Sequence, residues 1–148
     1  YRPGSRAVNY LLDTCLLSEL CKPEPDAGVV AWIADIEETR LFISVLSLGE
    51  IQKGVAKLEN GRRRNALQNW LEQDLLCRFT QRVLPFELDM ALEWGLVSAA
   101  SESRGRPAPV IDALLAVTAI AHNLTLVTRN DKDFSDFPVK VLNPWGQN

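Results

Sequence analysis

Five short apolar runs alternate with longer stretches of helical character, and this alternation restricts the folds open to the chain more than any other feature. The runs fall at residues 8–12, 41–45, 83–86, 124–128 and 139–142. Between them the periodicity predicts a brief helix through Leu16, Leu17 and Leu20 that stops near Lys22-Pro23, and a second over 27–38 carrying Val30 and Ile33. Ser47 reads as the N-cap of a helix with Leu48, Ile51, Val55 and Leu58 on one face, and Leu67, Trp70, Leu71 and Leu75 form the core stripe of the next. A helix over 88–103 is expected to turn Leu88, Ala91, Leu92, Leu96 and Ala99 inward, and 110–122 is apolar nearly all round, as in a helix buried within a layer. Strands alternating with helices of this length predict an α/β fold, with a central, mostly parallel sheet of about five strands flanked by helices on both faces.

Composition narrows the function classes. The 148 residues, 47% hydrophobic, suit a single domain, placed at 10–146. Residues 1–9, with no Met and no apolar signal core, read as a short leader or an appended remnant. No apolar run approaches the roughly 20 residues that cross a bilayer. Cys15, Cys21 and Cys77 form no CxxC pair and stand beside a single histidine, His122, so no zinc framework is encoded and a reducing cytoplasm fits. A net charge of −3 argues against a protein that coats polyanions through a basic surface. Arg62, Arg63 and Arg64, and the loop pair Arg104 and Arg106, are either solvated surface or phosphate contacts.

Four acids stand at predicted element boundaries: Asp13 in YLLDT, Glu50 in SLGEI, Asp112 in PVIDALL and Asp133 in TRNDKDF. In a parallel sheet the carboxyl ends of the strands share one edge, and ligands of open α/β sheets bind outside it. Carboxylates gathered there repel one another and shift their own pKa values unless cations lie between them, which points to a divalent-metal site of the kind that cleaves phosphodiesters. Each acid also has a plainer explanation. Asp13 is placed to cap a helix, and Glu50 suits the first turn of its helix, although Gly54 one turn on leaves room for something bulky. Turn chemistry accounts for Asp133 as well as for Asp131, and physics alone does not rank the two. Asp112 is the hardest to explain away, because it opens so apolar a helix that an ionised carboxylate there needs a cation or several donors.

The ordered segments YLLDT, FISVLSLGEIQKG, LPFELDMALEWG, RPAPVIDALLAVTA, LTLVTRNDKDF and VLNPW, spanning about Tyr10 to Trp145, resemble the PIN-domain toxins of the VapC/FitB type. The resemblance implies a PIN-like fold and a Mg²⁺-dependent ribonuclease, Mn²⁺ serving in its place. It also implies the toxin half of a bacterial toxin–antitoxin pair: a cytoplasmic homodimer that a small cognate antitoxin inhibits, alone or in a higher toxin–antitoxin assembly. On matching positions it makes Asp13 and Asp112 the principal metal carboxylates, with Glu50 completing the cluster and Asp133 holding water or a weaker second ion. Thr14, Ser47 and Asn130 become the hydrogen-bonding support of these acids. Arg104, Arg106 and Arg129 are the candidate contacts to the RNA backbone.

One departure stands out: Cys15 occupies a position where such toxins commonly carry Asn, and a thiol lacks the amide's donors. This motivates a rival from another class, a catalytically weakened PIN domain that mainly binds antitoxin or RNA. A phosphatase using Asp13 as nucleophile is disfavoured, because the second Asp usual two residues later is Cys15. Phosphate-binding glycine loops are absent.

Overall fold

The strands are buried on both faces, which is why they read as continuous apolar runs. The computed structural model describes residues 7–146. β1 (Tyr10–Leu12), β2 (Leu41–Ser44), β3 (Val83–Leu84), β4 (Thr125–Val127) and β5 (Val141–Leu142) form one sheet in the order β3-β2-β1-β4-β5, every pairing parallel. Tyr10 lies opposite Leu41 on one side and Thr125 on the other, so β1 is the central strand. Alternation along the strands sorts their side chains between two cores. Tyr10, Leu12, Leu41, Ile43 and Val127 enter one; Leu11, Phe42 and Leu126 enter the other.

The first core is covered by α1 (Thr14–Leu20), α2 (Ala27–Asp35), α3 (Val45–Ala56) and α4 (Arg62–Asn69). The last continues through a π-helical segment (Trp70–Leu75) into α5 (Leu76–Arg78), and Leu71, Leu75 and Phe79 close the layer. On the opposite face α6 (Leu88–Ser103) and α7 (Val110–Ala121) pack against the sheet, with Leu115, Ala116 and Ala119 of α7 fully buried. Residues 1–6 of the expected leader lie outside the described residues. Val8 and Asn9 are tied to the fold, their carbonyls accepting from Arg40 Nε at 2.6 Å and Thr125 N at 3.0 Å.

Three local expectations need correction. α3 begins at Val45, three residues ahead of the expected start: its N-cap is Ser44, whose Oγ accepts from Leu46 N at 3.0 Å. Ser47 is therefore a fully buried member of the first turn, free to reach across to α1. In α2 it is Val29 that is buried, while Val30 is exposed. In α6 the inward face is Met90, Trp94, Val97 and Ser101; Leu88, Leu92 and Leu96 point outward. That helix carries two apolar faces, and periodicity cannot say which of them meets the sheet.

The chain's end docks on the start of α2. Asp26 Oδ2 accepts from Val29 N at 3.1 Å and from Gly146 N at 3.0 Å, and Trp145 is buried in the first core. A Cβ on Gly28 would lie 2.5 Å from Pro144 O and 2.8 Å from Gly146 N, both backbone atoms. Alanine is favoured over glycine within helices by roughly 1 kcal/mol, but overpacking against backbone costs about 1–3 kcal/mol. Gly28→Ala should therefore lower the urea midpoint at unchanged m-value; a midpoint at or above wild type would show that the C-terminal segment is not held on α2.

Candidate functional site

The parallel sheet sends β1, β2 and β4 out at one edge, and each delivers a polar residue there. Asp13 follows β1 directly, its amide donating to Val127 O at 2.9 Å, and its side chain is buried. It caps α1 through Oδ1, which accepts from Thr14 N at 2.6 Å. Its second oxygen, Oδ2, accepts from Thr128 Oγ1 at 2.7 Å and from Cys15 Sγ at 3.4 Å. The cap reading and the site reading of Asp13 are thus compatible, because the two oxygens divide the tasks. Thr128 itself accepts from Asn130 N at 3.0 Å, so Asn130 supports the acids through its backbone amide.

Glu50 comes from α3, and its Oε1 accepts from Thr14 Oγ1 at 2.6 Å. The hydroxyls of Thr14 and Ser47 are 2.9 Å apart. Thr14 Oγ1 is the donor in both contacts, so its one proton is shared between Ser47 and the carboxylate. The result is a Thr14 hydroxyl seated between buried Ser47 and one carboxylate oxygen of Glu50. The early start of α3 makes this contact possible, since a capping Ser47 would have spent its side chain on its own helix.

Asp112 occupies the first turn of α7, partly buried, and its carboxyl is pushed up to about 6. Burial is the main cause, followed by the charges of Asp13, Asp133 and Glu50. The four acids therefore share one electrostatic neighbourhood. Asp131 is not among the charges acting on Asp112, although both Asp131 and Asp133 lie exposed on the 3₁₀ turn Asp131–Phe134. Among the described residues no Lys or Arg forms an ion pair with any of the four acids. No three acidic, histidine or cysteine side chains among the described residues form a ready-made metal cage. The donor set is all oxygen and its repulsion uncompensated, which fits a hard cation; Mg²⁺ in particular keeps most of its waters and takes only one or two carboxylates directly.

Thr128 is the site residue that sequence reasoning missed. A fully buried threonine at the polar end of a strand must find hydrogen-bond partners, and that was the available signal. Cys15 is half-buried, and burial together with the charge of Asp13 pushes its thiol up to about 11, an inert state. The three candidate arginines differ in their surroundings. Arg129 follows Thr128 and stacks over Trp145 at 5.7 Å, Arg106 pairs with Asp136 at 3.5 Å beside a cavity of about 250 Å³ that includes Asp133 and Lys132, and Arg104 caps α6. On the other side Thr14, Glu50 and Gly54 open into a groove of about 630 Å³ floored by Val55, Leu67 and Trp70. A Cβ on Gly54 would meet nothing within 4 Å, so the room expected beside Glu50 is there.

The raised pKa of Asp112 has a stability consequence of definite sign. In the folded protein the carboxyl holds its proton to about 6, against 3.8 ordinarily. Between these values the folded state binds more protons than the unfolded one, so this group's contribution to stability falls as pH rises through the window. Asp112→Asn should therefore stabilise the metal-free protein at neutral pH, by no more than about 2 kcal/mol once solvent screening is allowed for. The melting-temperature difference between variant and wild type should widen from about pH 4 to about pH 7; a gap that does not change with pH would contradict the crowding of charge described above.

The sequence profile of the PIN domain matches residues 10–140. The chain is 36% identical over 135 residues to Toxin FitB of Neisseria gonorrhoeae, covering 91% of this chain and 97% of that protein. It is 38% identical over 136 residues to VapC ribonuclease Y4jK of Sinorhizobium fredii, covering 91% and 96%. Among solved structures, FitAB bound to an IR36 DNA fragment superposes with a TM-score of 0.86 at 33% identity, over 94% of this chain and 97% of the other. With β1 to β4 and all four acids inside the matched region, this chain belongs to the PIN-domain family.

Proposed function

We propose that the protein is a divalent-metal-dependent endoribonuclease, the toxin of a toxin–antitoxin pair. The observation that carries this reading is the uncompensated acid cluster, in which burial and then the charges of Asp13, Asp133 and Glu50 raise the pKa of Asp112 and no basic side chain among the described residues pairs with them. Its likeness to a VapC ribonuclease and to FitB supports the assignment to RNA cleavage and to a toxin.

Asp13 and Asp112 would hold a Mg²⁺ or Mn²⁺ ion, with Glu50 completing the cluster directly or through water. The bound ion supplies positive charge for the scissile phosphate and lowers the pKa of water. Thr128, with Cys15, holds Asp13, and Thr14, in contact with Ser47, holds Glu50, so both carboxylates keep their orientation before any ligand arrives. Asp133, at the exposed rim, orients water at the entrance. Arg106, which lines a cavity with Asp133, and Arg129, next to Thr128 in the chain, would contact the RNA backbone, as would Arg104. A partner segment lying in the apolar groove beside Glu50 would cover Thr14 and Glu50 together, which gives an antitoxin a direct way to inhibit. The weakened-enzyme alternative loses weight, because Thr128 gives Asp13 Oδ2 a hydroxyl donor beside the weaker thiol of Cys15.

RNA cleavage should require Mg²⁺ or Mn²⁺, stop with EDTA, and fall about 1,000-fold in Asp112→Asn, the equivalent of several kcal/mol of lost charge stabilisation. In parallel, Mg²⁺ should raise the melting temperature of the wild type and not of the variant. Cleavage that survives EDTA, or that Asp112→Asn retains, would defeat the assignment. Thr128→Val should weaken both metal response and cleavage, whereas Cys15→Asn should leave the metal response intact; the reverse pattern would return Asp13's support to residue 15.

A further inference from the structure

The groove that opens at Thr14 and Glu50 carries two features that the acid cluster does not need. Trp70 lines it where α4 passes into the π-helical segment, and Lys22 and Arg63 line it as well. π-Helical turns are frequent at functional sites. The three arginines at the start of α4 have different tasks. Arg64 Nη1 donates to Asn60 Oδ1 at 2.8 Å and so secures the turn before the helix. Arg63 is exposed, and its side chain forms no ion pair or hydrogen bond among the described residues. Standing in the first turn of α4, it opposes that helix's dipole and adds nothing to its stability. Its charge does reach the groove, where it acts on the thiol of Cys21. Lys22 is held by Glu19 at 3.0 Å, and among the described residues Glu50 is the one acid that lines the groove.

We propose that this groove seats one unpaired nucleotide of the RNA, the neighbour of the scissile phosphate, with its base against the indole of Trp70 and its outer phosphate on Arg63. An apolar floor with an aromatic ring, bordered by free positive charge, is the combination that binds single strands: bases stack and the backbone pairs. The volume of about 630 Å³ lies within the range of pockets that enclose small organic ligands. Glu50 joins the groove to the acid cluster, so a nucleotide lying there leaves its inner phosphate at the proposed metal carboxylates. Gly54 keeps the path open, since a Cβ there would meet nothing within 4 Å. Bases within a duplex are already stacked and paired, so only an unpaired one can enter, and selectivity for single strands follows. This rests on the nuclease reading and specifies the substrate of the same site.

Tryptophan fluorescence in EDTA, where the proposed nuclease does not cut, tests it with a short unstructured RNA and with the same sequence as a blunt duplex. The single strand should quench the emission and the duplex should not. Trp70→Phe should lose most of the quench while keeping its affinity within a few-fold, because a phenyl ring still stacks. Gly54→Leu, which fills the groove, and Arg63→Glu should each raise the dissociation constant about 10-fold or more, and Arg62→Glu, the same charge change outside the lining, by less than about 3-fold. Circular dichroism and the Mg²⁺-induced rise in melting temperature should stay unchanged in Gly54→Leu and Arg63→Glu. Wild-type affinity for RNA in those two variants overturns the proposal, even where metal-dependent cleavage is seen. So does a quench that persists in Trp70→Phe, a wild type that binds no single strand in EDTA, or a loss confined to antitoxin binding. RNA binding that follows the groove variants, with no cleavage on adding Mg²⁺, supports the nucleotide seat and defeats the nuclease reading instead.

Discussion

Everything at the site depends on β1 lying in the centre of an all-parallel sheet. Because its neighbours β2 and β4 run in the same direction, three segments far apart in sequence leave the sheet at one edge. Asp13 arrives from β1, α3 with Glu50 starts directly after β2, and Thr128 with the Asp133 loop follows β4. A one-residue slip of β1 would exchange Tyr10 and Leu12 for Leu11 between the two cores, so hydrophobic burial on both faces fixes the register. The position of Asp13 is thereby held by apolar packing that involves no acid at all.

Packing also makes the electrostatic strain tolerable. The fold brings acids together with no ion pair to a basic side chain among the described residues, and Asp112, also partly buried, has a raised pKa. A chain selected for stability alone would place an amide or a lysine at that position. Hydrogen bonds offset part of the strain locally: Asp13 has donors on both oxygens and Glu50 has one from Thr14. These donors keep the carboxylates aimed while leaving lone pairs free for a cation.

The strands and the positions of the acids were legible in the sequence because they depend on local pattern: short apolar runs, and polar residues at their ends. The support of the acids was less so. Ser47 looked like a cap because serine before an apolar stripe usually is one, yet Ser44 lies three residues earlier and does the capping. Thr128 was invisible because a threonine near a strand end is unremarkable until its partner, Asp13, is known. That Asp133 is among the charges acting on Asp112 is a property of three dimensions that the sequence does not display. The two apolar faces of α6 could not be assigned either. Helical periodicity identifies a stripe, and only the neighbouring sheet decides which stripe is covered.

The hydrogen bond between Thr128 and Asp13 joins residues 115 positions apart. During synthesis the carboxylate emerges 115 residues ahead of the hydroxyl that orients it, with β4 needed before β1 has its second neighbour. Contacts of such long sequence separation form late, after the loop-closure entropy has been met. A nascent chain therefore lacks an assembled site until the segment carrying Thr128 has been made. The order of the strands along the gene postpones the emergence of the nuclease until β4 has been translated.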